Sequence, residues 1–139
     1  MSKTQTLTDL SVTPVVYSDF FTDFSRHVNT GQLNKKTNEN AVKQSIRNLL
    51  LTDHYERLFH PEIGSNLRSL LFENITPATH LQIEQYINEV FTNHEPRAEL
   101  LDVNSLVNPD MHSISISIYF RIINTTEPTQ LDLLIERKR

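Results

Sequence analysis

Apolar and polar positions change their spacing once along the chain, and the change organises it. Val42, Ile46, Leu49 and Leu50 fall at i, i+4, i+7 and i+8. This is the spacing of one helical face, and it predicts a helix over about residues 39–51 with a single buried stripe. Leu67, Leu70 and Leu71 share a face of a second, short helix opened by Gly64-Ser65. A third helix is predicted to start at Thr76-Pro77, where Thr caps and Pro takes the first helical position without losing a useful N–H. Ile83, Ile87, Val90 and Phe91 form its apolar side, flanked by Leu81 and Tyr86. Pro96 ends it, because its ring denies Glu95 helical geometry and it has no N–H to continue the ladder. From there the period is two. Leu101, Val103, Ser105 and Val107 alternate with more polar partners, and Asn108-Pro109-Asp110 turns the chain. Ile114, Ile116, Ile118, Phe120 and Ile122 then alternate with Ser, Tyr and Arg, and Leu131, Leu133 and Ile135 follow a polar loop. Helices first and hairpin-linked strands after predict an α+β fold. Its C-terminal antiparallel meander, of three to four strands, is packed on one face by about three helices.

The N-terminal part is read differently. Residues 1–13 hold four Thr, two Ser and no aromatic, too little apolar area to order themselves, so they are expected to be a flexible arm. Residues 14–139 are expected to be a single domain. The aromatic run over residues 15–24 is too apolar to be left in water and is expected to pack against the domain as extended segments. Asn34-Lys35-Lys36-Thr37-Asn38 reads as polar turn material, and residues 52–61 as a loop or short strand closed by Pro61.

Composition narrows the chemistry. Seventeen acidic residues against 13 basic ones leave a net charge of −4, which argues against nucleic acid as a partner. Gly31 and Gly64 are the only glycines, so neither a dinucleotide fingerprint nor a P-loop can be written. Without cysteine there are no disulfides, thiolate nucleophiles or Cys-based zinc sites. No stretch reaches the roughly 20 apolar residues of a membrane span, and the first residues lack the apolar centre of a signal peptide. The chain is therefore expected in the cytoplasm when made, with no membrane partner. The 37% hydrophobic content is below the usual value of about 45–50%, which suits a protein with much contacted surface.

Candidate sites are few. Glu95 and Arg97 flank Pro96 in a segment expected to be extended, so both side chains should point to one side and engage a neighbour's charges. The plainer reading is a helix stop with a solvated ion pair. Pro61, Gly64, Leu67, Leu71, Phe72 and Glu73 form a structural block, with the Leu and Phe residues expected in the core. A buried carboxylate–guanidinium pair drawn from Glu56, Arg57 and Glu73 would fix the loop to the second helix, although solvated charges are the default reading. The six histidines include no i, i+3 or i+4 pair, so no metal is expected. Many carboxylates occur but none in a recognisable catalytic context, and neither Gly-x-Ser-x-Gly nor His-Glu-x-x-His is present, so no enzyme and no cofactor are expected. Arg137-Lys138-Arg139 ends the chain as a basic tail.

The middle block, Glu56-Arg57-Leu58-Phe59-His60-Pro61-Glu62-Ile63-Gly64-Ser65-Asn66-Leu67-Arg68-Ser69-Leu70-Leu71-Phe72-Glu73-Asn74-Ile75-Thr76-Pro77, follows Leu49-Leu50-Leu51-Thr52 and precedes Asn93-His94-Glu95-Pro96-Arg97. In that order the three blocks resemble the small baseplate wedge protein of contractile-tailed bacteriophages, a family shared with a baseplate component of type VI secretion systems. The resemblance runs from about Tyr17 to the C-terminus and departs at His60, where a small polar residue is frequent, and at Ile63, where an aromatic is. It implies a structural subunit in the tail baseplate of the virion. It also implies a sheet similar to the sheath protein's assembly domain, with strand pairing to the tail sheath protein that initiates sheath polymerisation. Other implied partners are further wedge subunits, in multiple copies around the tail tube. Glu95, Pro96 and Arg97 are the implied interaction residues. The implied alternatives are the equivalent subunit of an injection machine and, from a different class, a peptidoglycan hydrolase, since the family has carried a lysozyme label.

Overall fold

The computed structural model describes residues 15–21 and 23–137, so the arm expected over residues 1–13 lies outside the described residues. Two short strands come first. β1 (Ser18–Phe20) pairs antiparallel with β2 (Lys35–Thr37), Asp19 opposite Lys36. The stretch expected as polar turn material is thus half of a hairpin. Its strand character comes from the partner: the aliphatic stems of Lys35 and Lys36 bring their ammonium groups over the rings of Phe20 and Phe21, at 5.9 and 4.9 Å. The aromatic run is extended as expected, but only Tyr17 packs on the core, while Val15, Val16, Phe20 and Phe24 remain exposed.

Helix α1 (Asn38–Leu51) follows directly and buries Ala41, Val42, Ile46 and Leu50, with Leu49 at the edge of the stripe. Asn38 joins hairpin to helix: its Oδ1 accepts the N–H of Val16 at 2.8 Å and its own N–H donates to the Tyr17 carbonyl at 2.7 Å. The expected second helix is a single 3-10 turn, Ser69–Phe72. Helix α2 (Thr79–His94) begins later than Thr76-Pro77. Thr76 and Thr79 close a turn on each other first, the Thr79 hydroxyl accepting the Thr76 N–H at 3.0 Å and the Thr76 carbonyl accepting the Thr79 N–H at 2.9 Å. Ile83, Ile87, Val90 and Phe91 are buried along α2, as its spacing requires.

Strands β3 (Ala98–Asn108), β4 (Ser113–Ile122) and β5 (Pro128–Glu136) form the antiparallel meander, in the order β3-β4-β5. α2 lies against β3 and α1 against β5, so the two helices cover one face. Ile114, Ile116, Ile118, Phe120 and Ile122 point into that layer beside Leu131, Leu133 and Ile135 of β5. Phe91 of α2 meets Phe120 at 5.8 Å between ring centroids, tilted by 59°. One expectation in β3 fails. Leu100 pairs with Phe120 and Asp102 with Tyr119, which leaves Leu101 unpaired in a β-bulge. The extra residue resets the alternation, so Ala98 and Leu100 face inward with Val103 and Val107, while Leu101 is half exposed. The fold is α+β as read, with two α-helices and one 3-10 turn where three helices were expected.

Candidate functional site

The chain leaves α2 at a corner where four segments meet. Glu95 has φ −129° and ψ 72°, outside helical geometry as a residue before proline must be. Pro96 and Arg97 do not continue extended, however. They form a turn in which the Glu95 carbonyl accepts the Ala98 N–H at 3.3 Å. The turn folds the Arg97 side chain back onto Glu95, Nε donating to Oε1 at 2.6 Å and Nη2 to Oε2 at 2.8 Å. The two side chains share a side because of this turn and not through strand pleating.

The pair is not solvated either. The Glu95 side chain is 1% exposed and that of Arg97 30%. Burial works against the charge on Glu95. The Arg97 fork, the Ser45 hydroxyl of α1 and the guanidinium charge more than offset it and hold the carboxyl below the ordinary carboxylate range. Glu95 in turn raises the pKa of Arg97, with Asp19 of β1 adding to the effect. The Tyr17 ring lies under the guanidinium at 5.6 Å, and the Arg97 carbonyl accepts the Ile123 N–H at 2.9 Å just beyond β4. The corner is therefore a preorganised cation, its orientation set by one buried carboxylate, one aromatic face and a backbone clamp. Tyr17 and Ser45 were missed in the sequence because both are remote from the motif. The aromatic run announced a contact for Tyr17 without naming its partner.

The middle block divides into frame and surface. Gly64 is buried with φ +134°, and a Cβ there would lie 2.5 Å from the Thr52 carbonyl oxygen. Only glycine lets the two backbones approach so closely. Ser65 closes the approach, its hydroxyl donating to the Leu50 carbonyl at 2.7 Å and its N–H to that of Thr52 at 2.8 Å. Leu67 and Leu70 are buried and Leu71 partly so. Phe72 is not in the core. It is 68% exposed, and the Arg137 guanidinium stacks on its ring at 5.0 Å, because the 3-10 turn is too short to carry its last residue inward. Pro61 and Glu73 are exposed. The ion pair tying the loop to the block is Arg68 with Asp53 at 3.6 Å; Glu56 instead accepts the Asp53 N–H at 3.0 Å. Among the described residues no group of three or more His, Asp or Glu is arranged to hold a metal ion, and no helix is long and apolar enough to cross a membrane.

The site is thus a fixed cation at the corner between helix and sheet, on a meander covered on one face by two helices. Solved baseplates contain the same fold. In the anti-feeding prophage baseplate a chain 24% identical covers 85% of this one and 83% of its own length at a TM-score of 0.61. In the post-contraction baseplate of pyocin R2 a chain 17% identical covers 82% of this one and 98% of its own length at 0.50. A crystal structure of a Geobacter sulfurreducens protein, provisionally described as a tail lysozyme, is 28% identical over 70% of this chain and 89% of that one, with a TM-score of 0.62. In sequence, residues 36–127 match the family of baseplate wedge protein gp25. The gp25 protein of Enterobacteria phage T4 is 33% identical over 87 residues, which are 63% of this chain and 66% of that protein, just under two thirds of its length. The chain belongs to the baseplate wedge protein gp25 family and is a wedge component of a contractile tail, with its place in the tail baseplate of the virion. The matched region contains both the middle block and the corner; it starts later than Tyr17 and ends at residue 127, before the C-terminus.

Proposed function

We propose that the chain is a structural, non-enzymatic wedge subunit acting as one domain over residues 14–139. It engages other wedge subunits and the tail sheath protein at the Glu95-Pro96-Arg97 corner and offers a meander edge to a strand of the sheath protein, so that sheath polymerisation starts on it. It assembles in the host cytoplasm and stands in several copies around the tail tube. The corner carries this reading. A partly exposed guanidinium held by a buried carboxylate has lost its rotamer freedom in advance, which lowers the cost of docking an acidic partner. Strand addition is supported by the sheet order, which leaves an outer edge on β3 and on β5 unpaired among the described residues.

The test is Arg97→Lys, which keeps a charge beside Glu95 but loses the planar fork. The variant is expected to fold by circular dichroism, and electron micrographs are expected to show baseplates without sheath. Sheathed tails of normal length would overturn the reading.

A hydrolytic reading has one observation behind it, the fold shared with the Geobacter sulfurreducens protein. An open cleft between the loop and α2 does hold two carboxylates, Glu62 and Glu89. A glycosidase acid needs a raised pKa, and Glu62 is shifted the other way, lowered by a backbone hydrogen bond and by His60. Purified protein is expected to leave peptidoglycan uncleared. Clearing that is lost in Glu62→Gln would establish the enzyme instead.

A further inference from the structure

The tip of the loop between α1 and the 3-10 turn is a cost that the chain's own fold does not recover. Phe59 is 93% exposed, Leu58 84% and Tyr55 85%. Phe59 and Tyr55 also hold φ of +70° and +68°, a left-handed conformation that bulky side chains disfavour. The loop is nevertheless well fastened. Its base is closed by Ser65 on Thr52 and by the Gly64 approach, its neck by the Tyr55 N–H on the Pro61 carbonyl at 3.0 Å, and its far side by the Ile63 N–H on that of His60 at 3.2 Å. Two apolar side chains are thus presented to water on a fixed frame, as interface anchors are.

We propose that Leu58 and Phe59 form a preformed knob that seats in an apolar, carboxylate-rimmed pocket of another baseplate subunit. The proposal rests on the wedge reading above and adds a second contact region to it. Two observations choose this occupant. Arg57 adjoins the knob, is exposed, and has no ion pair among the described residues, so the pocket's rim supplies the missing carboxylate. The cleft beside the loop runs from Tyr55 and Pro61 to Asn93 and His94, the residues that lead into the Glu95 corner. The cleft thus joins the foot of the loop to the residue that precedes Glu95.

The experiment uses the full chain and the other wedge subunits of its baseplate, with affinity measured by titration. Phe59→Gly relieves the backbone and removes the ring. It is expected to keep or raise the melting temperature of the isolated chain while weakening wedge binding at least tenfold. Arg57→Glu is expected to weaken binding several-fold, and Val28→Gly, at an equally exposed apolar residue of the hairpin loop, to leave it unchanged. A photo-crosslinking residue at position 59 is expected to join a different wedge subunit. If Phe59→Gly binds like the parent chain, or the crosslink joins only a second copy, this proposal falls and the wedge reading stands. If the parent chain binds no wedge subunit, both fall.

Discussion

Glu95 keeps its charge in a site almost closed to water, and its partner is therefore hard to remove. Arg97→Ala strands a buried carboxylate and is expected to cost about 3 kcal/mol in urea unfolding, with Arg97→Lys losing less. The pH dependence has a definite sign. A carboxyl whose folded pKa is lowered contributes stability that is present above its unfolded value, about 4.3, and is lost as pH falls through the folded one. Glu95→Gln should thus melt below the parent chain at pH 7, and the gap should close as both are taken below about pH 4.3. Gly64→Ala is a backbone experiment of comparable severity. The added methyl must displace the Thr52 carbonyl in a conformation that alanine resists, and a loss of about 2 kcal/mol or more is expected in the same assay. The sequence pointed to all three positions, but for Glu95 and Arg97 it suggested a solvated pair in an extended segment. Tyr17 and Ser45 contact the pair at the corner, and no local spacing signals contacts made across 80 and 50 positions of chain.

Among the elements, period was the reliable guide and boundaries were set by contacts it cannot see. β4 reads plainly because every inward position is apolar, and it lies between two partners. Ile118→Ala, at the centre of that row, is expected to cost about 3 kcal/mol in urea, whereas Leu106→Ala on the open face of β3 should change stability by less than about 0.5 kcal/mol. β3 was misread by one residue at Leu101, since two adjacent leucines fit either face and the bulge that chooses between them is a property of the pairing with β4. β2 was hidden for a similar reason: Lys35-Lys36-Thr37 has little apolar signal and becomes a strand because β1 lies beside it. The second helix shrank to one turn, as the segment around it is fastened through Gly64 and Ser65 to the end of α1. Phe72 was left outside with it.

At the scale of the molecule, one core cluster contains residues of both helices and of all three meander strands. Residues 14–139 are therefore expected to unfold in calorimetry as one transition, with calorimetric and van't Hoff enthalpies equal. Two separated transitions would refute the single-domain reading. The order of the meander has a kinetic consequence. Every strand in it pairs only with its neighbour in sequence, across two short connections, so loop closure costs little and the sheet should form quickly once its residues are available. A ribosome releases those residues after both helices, whose apolar stripes have no cover until the strands arrive. Nascent chains thus spend their vulnerable interval with bare helices and no sheet. The outer edge on β5, one of the two edges proposed to receive a neighbour's strand, exists only once the core is finished, so a half-made subunit does not offer it.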